Sequence, residues 1–134
     1  MRLLRNGTAV APANAPASIK NLVKAANHIA HKPYHWGGGH GRWNDSGYDC
    51  SGSVSYALHG GGLLRHPEDS TALEHYGRGG RGSWITIYAN GGHAWMTVGG
   101  LRFDTSGRSG SHGSRWQRAR RSTRGYVVRH PRAL

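Results

Sequence analysis

Cys50 is the only cysteine of the chain, so it forms no disulfide within the chain and is either a buried small side chain or a reactive thiol. Apolar residues follow it at helical spacing, at Val54, Ala57 and Leu58, which predicts a helix with Cys50 in its first turn. Unpaired N–H groups and the positive end of the helix dipole favour a thiolate there and can also donate to an oxyanion. The position suits acyl transfer chemistry, and a packed cysteine on the apolar face of the helix is the alternative.

A histidine and an aspartate are predicted to meet on a hairpin downstream. The glycine pair Gly99–Gly100 is a two-residue turn signal that joins a strand at 93–98 to a strand at 101–105. One face of this hairpin is predicted to enter the core, through Ala94, Met96, Val98, Leu101 and Phe103. The other face carries His93 and Asp104 diagonally, about 7 to 8 Å apart and within side-chain reach. A base held by an acid beside a thiol is the arrangement of cysteine catalysis, and an exposed cross-strand ion pair is the alternative.

The order of the predicted elements indicates an α+β fold, in which N-terminal helices pack on an antiparallel β-sheet. Helices are predicted from Ser18 as N-cap to residue 32, from Cys50 to the glycines at 60–62, and over 67–76 with Thr71 and Glu74 in capping-box relation. Strands are predicted at 84–89, 93–98, 101–105 and 126–129.

Composition indicates one domain with a strongly cationic surface. Residues 1–17 are rich in small residues and are predicted to be a flexible linker, with the folded domain over 18–134. A net charge of +12 predicts polyanionic partners, namely nucleic acid, an anionic lipid surface or an anionic cell-wall polymer. The sequence contains no apolar run long enough for a signal peptide or a membrane span.

The C-terminal segment is the most basic part of the chain. Its arginines are Arg108, Arg115, Arg118, Arg120, Arg121, Arg124, Arg129 and Arg132. No recognisable nucleic-acid-binding motif accompanies them, so we expect no sequence-specific nucleic-acid partner. We expect attraction to anionic wall polymers, with a solvated basic loop as the alternative.

The histidines His28, His31 and His35 have no carboxylate or cysteine at ligand spacing, and we expect no metal there.

Together the motifs resemble the NlpC-type cell-wall cysteine peptidases. The matching residues are Tyr34, Trp36, Gly37 and Gly38, then Asp49, Cys50, Ser51 and Gly52, then Leu63, Leu64 and Arg65, and finally His93. The combination of YxWGG, DCSG before a helix and a histidine on a downstream strand is specific to that family, and the resemblance covers about residues 18–108.

The resemblance implies a papain-like fold and hydrolysis of peptidoglycan stem peptides, often between D-glutamate and a diamino acid. By position it implies that Cys50 is the nucleophile, His93 the base and Asp104 the third polar group, without cofactor or metal. Substrate binding is implied for Tyr34, Trp36, Asp49 and Ser51. Asp49 also reads as a helix cap, and the two aromatic residues also read as packing residues.

From this resemblance we expect a monomer that is secreted or associated with the cell wall. Two alternatives stand beside the endopeptidase: a thiol amidase or acyltransferase acting on another small acyl substrate, and a non-catalytic basic module that binds nucleic acid or wall polymer.

The sequence departs from the family at three places. Asp104 stands where His, Asn or Gln is usual, and Ser53 stands where an apolar residue usually follows the glycine. Residues 82–88 also match poorly the PGDLVFF-like strand that usually precedes the histidine.

Overall fold

A computed structural model describes residues 1–106 and 112–134 and has an α+β architecture. The helices are α1 (Ala17–Ile29), α2 (Cys50–Gly60) and α3 (Ser70–Leu73). The strands are β1 (Arg2–Leu3), β2 (Ala9–Val10), β3 (Arg78–Gly79), β4 (Ile85–Ala89), β5 (Ala94–Val98), β6 (Leu101–Ser106), β7 (His112–Gln117) and β8 (Val127–His130). Within the described ranges, six of them form an antiparallel sheet in the order β3-β8-β4-β5-β6-β7. The predicted fold class is confirmed.

The helices and one face of the sheet enclose the hydrophobic core. Helix α1 buries the stripe that its sequence period predicts, at Ile19, Leu22, Val23, Ala26 and Ile29. Strands β5 and β6 bury all five residues of the predicted core face, Ala94, Met96, Val98, Leu101 and Phe103. The turn between them lies at Gly99–Gly100, where both residues have positive φ (54° and 93°). In the resulting register, Val98 pairs with Leu101.

The other face of β5 and β6 is also covered. Trp95 is 2% exposed and stacks on Tyr88, with 4.2 Å between ring centroids, while Tyr126 packs edge-on against the same indole. Asp104 is 2% exposed. The chain between β7 and β8 therefore covers the face that carries the predicted His–Asp pair, and that pair is not an exposed surface ion pair.

Residues 1–17 differ from the flexible linker that their composition predicts. Strands β1 and β2 pair with each other, and Ala9 is buried in the core. The Asn27 side chain fixes this hairpin to α1, since its amide accepts from Ala9 N (2.8 Å) and donates to Ala9 O (2.8 Å). Asn27 Oδ1 also accepts from Trp116 Nε1 at 2.9 Å. One polar side chain thus links the N-terminal hairpin, α1 and β7.

Element boundaries differ from the prediction where capping decides them. Helix α1 has Pro16 rather than Ser18 at its N-cap, because Pro16 O accepts the first helical hydrogen bonds, from Ile19 N and Lys20 N. Helix α3 is shorter than the predicted 67–76, since the carboxylate of Asp69 accepts from Ala72 N at 2.7 Å and caps it there. Strand β7 was not predicted, and part of the arginine-rich segment lies in β7 and β8. Arg108 lies outside the described residues.

In the part of the chain that the structure describes, no helix has the length and apolar character that crossing a membrane requires.

We predict that Asn27→Ala lowers the free energy of unfolding by about 2 to 3 kcal/mol, because it leaves Ala9 N, Ala9 O and Trp116 Nε1 without their partner. Urea unfolding measures this difference. Asn21→Ala is the matched control, since Asn21 lies exposed on the same helix. Equal stability of the two variants would contradict the role of Asn27.

Candidate active site

Asp49 fixes Cys50 at the first position of α2. Asp49 is the N-cap of the helix, and its Oδ1 accepts from Gly52 N at 2.7 Å. Its Oδ2 accepts from Gly37 N at 3.2 Å, and its backbone N–H donates to Gly38 O at 3.2 Å. The same carboxylate therefore holds the glycine-rich loop against the helix start. A Cβ at Gly52 would lie 2.1 Å from Gly38 O, so this close contact requires glycine.

His93 lies just before β5, in a turn held by Asn90. The Asn90 side-chain oxygen accepts from Gly92 N and His93 N, both at 2.9 Å. His93 Nε2 lies 2.8 Å from Asp104 Oδ1, and the ring lies close enough to Cys50 for the thiol to affect its pKa. Because Nε2 is engaged by the aspartate, Nδ1 is the ring nitrogen left for the thiol. The structure thus brings together the three residues that the sequence predicts to be catalytic.

The surroundings of His93 favour its charged form. Burial alone would lower the pKa of His93, but hydrogen bonds to Asp104 and Cys50, with the charges of both, raise it to about 9. At neutral pH the site therefore holds an imidazolium between the thiol and a carboxylate. An imidazolium next to the sulfur is the partner that stabilises a thiolate, the form in which a cysteine acts as a nucleophile.

Asp104 is an ionised carboxylate inside the protein, with a side chain of 0% exposure. Its Oδ2 lies 2.9 Å from Arg121 Nη1 and 3.4 Å from Arg102 Nε, and Ser106 N donates to its Oδ1 at 3.1 Å. Burial raises the pKa of Asp104, but the hydrogen bonds from His93 and Ser106 N and the charges of His93 and Arg121 outweigh this and lower it. The aspartate that departs from the family pattern is thus neutralised by arginine.

Sequence analysis missed both arginines as parts of the site. Arg102 precedes Asp104 by two residues on the same strand, so strand alternation was a usable signal for it. Arg121 lies seventeen residues beyond Asp104 in irregular structure, and no local pattern marks it.

A second His–Asp pair lies on the other side of Cys50 in sequence. His40 Nε2 is 2.8 Å from Asp49 Oδ1 and 3.1 Å from Ser51 Oγ, and Ser51 is 3% exposed. The hydrogen bond to Asp49 raises the pKa of His40 above its ordinary value. Burial raises the pKa of Asp49, whereas its bonds to His40 and Gly52 N lower it further than burial raises it. Sequence analysis did not single out His40.

The predicted substrate-binding residues lie in two different environments. Asp49 and Ser51 belong to the internal polar cluster just described. Tyr34 is 38% exposed, and burial together with the nearby charges of Cys50 and Asp49 raises its pKa. Trp36 is 91% exposed, so it is not a packing residue. Tyr34 therefore offers free surface near the thiol, and Trp36 offers free surface next to Gly37, which Asp49 holds.

Ser53, a departure from the family pattern, has a polar partner in the interior. Its Oγ lies 2.6 Å from Ser114 Oγ, and the two residues are each 1% exposed. Ser53 Oγ also donates to Asp49 O at 3.0 Å. The hydroxyl replaces an apolar contact by a hydrogen bond between α2 and β7, which keeps both polar groups satisfied.

The three N-terminal histidines are separate from one another in their contacts. His31 Nε2 lies 2.6 Å from Asn6 O, and His35 Nδ1 lies 3.4 Å from Ser46 Oγ. Over residues 1–106 and 112–134, no group of three or more potential metal ligands comes together.

Solved structures similar to this one are NlpC/P60 domains. The peptidoglycan hydrolase RipB from Mycobacterium tuberculosis is 25% identical, with a TM-score of 0.63 over 90% of this chain and 68% of that chain. A P60 domain of an antigen from M. avium subspecies paratuberculosis is also 25% identical, with a TM-score of 0.59 over 84% of this chain and 93% of that one. RipD of M. tuberculosis is described as a non-catalytic NlpC/p60 domain protein adapted to peptidoglycan binding. It is 16% identical, with a TM-score of 0.61 over 87% of this chain and 98% of that chain.

No protein-family profile matches the chain, and no curated protein sequence matches it. The structural likeness extends over most of the chain and agrees with the motifs around Cys50 and His93. The structural relatives of this chain are therefore the NlpC/P60 domains of the peptidoglycan hydrolases, and it has their papain-like fold.

Proposed function

We propose that the chain is a cysteine endopeptidase that hydrolyses amide bonds in peptidoglycan stem peptides, of the D-glutamyl to diamino acid type. The observation that carries this proposal is that Cys50, at the start of a helix, lies close to His93, whose ring binds Asp104. The names of relatives such as the peptidoglycan hydrolase RipB support the substrate class.

In the proposed reaction, Cys50 Sγ attacks the carbonyl carbon of the scissile amide. Backbone N–H groups in the first turn of α2 are the donors nearest to the developing oxyanion. His93 gives its proton to the leaving amine, and the C–N bond breaks to leave a thioester on Cys50. His93 then takes a proton from water, which attacks the thioester and restores the thiolate.

Asp104 has the role of holding the imidazole through Nε2, which leaves Nδ1 for the thiol. The carboxylate stays ionised because it accepts hydrogen bonds from His93, Arg121 and Ser106 N, so it keeps accepting the His93 hydrogen bond through both protonation states of the ring.

For substrate binding we assign the exposed aromatic side chains Tyr34 and Trp36 to the walls of the cleft. Asp49 Oδ1 already accepts three hydrogen bonds, from His40, Ser51 and Gly52 N. Asp49 Oδ2 accepts one from Gly37 N and can therefore also accept a substrate N–H. Ser51 donates within the same cluster and fixes that carboxylate.

We propose that the protein acts at the cell wall as a monomer, with its cationic surface attracted to anionic wall polymers.

The first prediction of this proposal concerns peptidoglycan digestion. The wild type is expected to release fragments cut within the stem peptide, and Cys50→Ala is expected to release none. Mass spectrometry of the soluble products names the bond. The proposal would be contradicted if Cys50→Ala also released fragments, or if neither protein released any from walls of several cross-link types. In the latter case an amidase, an acyltransferase or a binding module such as RipD becomes the better description.

The second prediction concerns thiol reactivity. Iodoacetamide is expected to alkylate Cys50 at pH 7 at least about tenfold faster in the wild type than in His93→Ala, because the imidazolium stabilises the thiolate. Mass spectrometry of quenched time points gives the rates. His75→Ala, at an exposed histidine, is the control and is expected to react like the wild type. Equal rates in all three proteins would exclude the His93–Cys50 pair.

The third prediction concerns the titration of His93. Its pKa of about 9 is raised by Asp104 and Cys50 against the effect of burial. Asp104→Asn removes the charge while keeping the shape, so the His93 pKa is expected to fall and its imidazolium to be lost at a lower pH. NMR of the ring protons follows this directly. Glu74→Gln changes the net charge equally and should leave the midpoint unchanged; an unchanged midpoint in Asp104→Asn as well would contradict the assigned contact.

A further inference from the structure

A cavity of about 360 Å³ lies on the sheet face opposite the hydrophobic core. Trp95 and Tyr88 form part of its wall, together with the chain between β7 and β8. Five arginines line it: Arg81, Arg102, Arg118, Arg120 and Arg121. The proposed peptidase reaction uses none of this space, although Arg102 and Arg121 contact Asp104 from the side of the cavity.

The charge of this arginine cavity is not balanced within the described residues. None of its lining residues is acidic, and Asp104, the carboxylate that contacts Arg102 and Arg121, lies buried beside them. Arg81 and Arg120 are exposed, and no hydrogen bond or ion pair of their side chains is found in residues 1–106 and 112–134. Several guanidinium groups converge on a space in which one carboxylate offsets only part of their charge.

The polar groups of the cavity are almost all donors, and two of them are unpaired. Trp95 Nε1 and Arg102 Nε are buried and have no hydrogen-bond partner in the described part of the chain. Arg102 Nε lies 3.4 Å from Asp104 Oδ2 without making a hydrogen bond. Both atoms are shielded from the open part of the cavity, so they add to the donor character of its wall without contacting a ligand. The accessible lining consists mainly of guanidinium donors and contains no carboxylate, so a ligand that only accepts hydrogen bonds matches this site.

From these observations we propose that the arginine cavity binds a phosphate group. Phosphate offers acceptor oxygens on every side and more than one negative charge, whereas a carboxylate engages one or two guanidinium groups in a plane. The small concave volume suits one or two phosphate groups better than a nucleic acid, which would require a charged track along the surface. The proposal rests on binding alone and is independent of the Cys50 chemistry.

The phosphate group has two sources, a free ion and a phosphodiester polymer. Isothermal titration calorimetry at constant ionic strength, with the full chain, uses pyrophosphate as the free probe and poly(glycerol phosphate) as the polymer probe. The variants are Arg81→Gln and Arg120→Gln, at exposed positions that leave Asp104 and its partners intact. Arg65→Gln is the control, since it makes the same change in net charge at an exposed position outside the cavity.

We expect saturable binding of pyrophosphate at one site per chain, weakened about tenfold by each cavity variant and less than twofold by Arg65→Gln. Polymer that displaces pyrophosphate from the wild type supports the phosphodiester source, and polymer that does not supports the free ion. The proposal is overturned by three results: binding that does not saturate, equal weakening by Arg65→Gln, or citrate binding as tightly as pyrophosphate.

Discussion

The buried carboxylate of Asp104 is the interaction on which most of this structure depends. Its burial would be prohibitive if the charge were unpaired, because an isolated ion in a protein interior loses its hydration. His93, Arg102, Arg121 and Ser106 N replace that hydration, and they come from the start of β5, from β6 and from the chain beyond β7. The guanidinium of Arg121 also lies over Trp95 and Tyr126, at 5.8 and 5.9 Å from their ring centroids. One ion pair therefore sets the position of the histidine and covers the second face of the sheet.

The two His–Asp pairs near Cys50 have similar chemistry but different tasks. His40 places the same nitrogen against both Asp49 Oδ1 and Ser51 Oγ, so its bonds close a cluster that holds the glycine-rich loop and the helix start. His93 binds its aspartate through Nε2 and lies close to Cys50. Only the second arrangement within the described residues links a carboxylate to the thiol through an imidazole. The first network holds the helix start at Cys50, and the second places a charged imidazole next to its thiol.

Local sequence patterns predicted the elements that bring the reactive residues together, but not the contacts that stabilise them. The helical period after Cys50 and the glycine turn at Gly99–Gly100 are signals over a few residues, and they were enough to place His93 beside Asp104. Arg121, strand β7, the Ser53–Ser114 hydrogen bond and the Asn27 bridge to Ala9 join residues 17 to 89 positions apart. Such pairs have no period in the sequence, because each partner is an ordinary polar residue until the chain has folded. Composition also misled at residues 1–17, where small residues form a packed hairpin rather than a linker.

The replacement of a neutral third residue by Asp104 changes the charge at the site less than the substitution alone implies. A free carboxylate would stabilise the imidazolium strongly and make His93 a poor proton donor to a leaving amine. Arg121 Nη1, however, lies 2.9 Å from Asp104 Oδ2 and 3.3 Å from His93 Nε2, so its cation opposes the imidazolium while it neutralises the carboxylate. At the ring the aspartate outweighs the arginine, since Asp104 helps to raise the pKa of His93 to about 9. The arginine acts mainly on the carboxylate, whose charge it pairs inside the protein and whose pKa it helps to keep low.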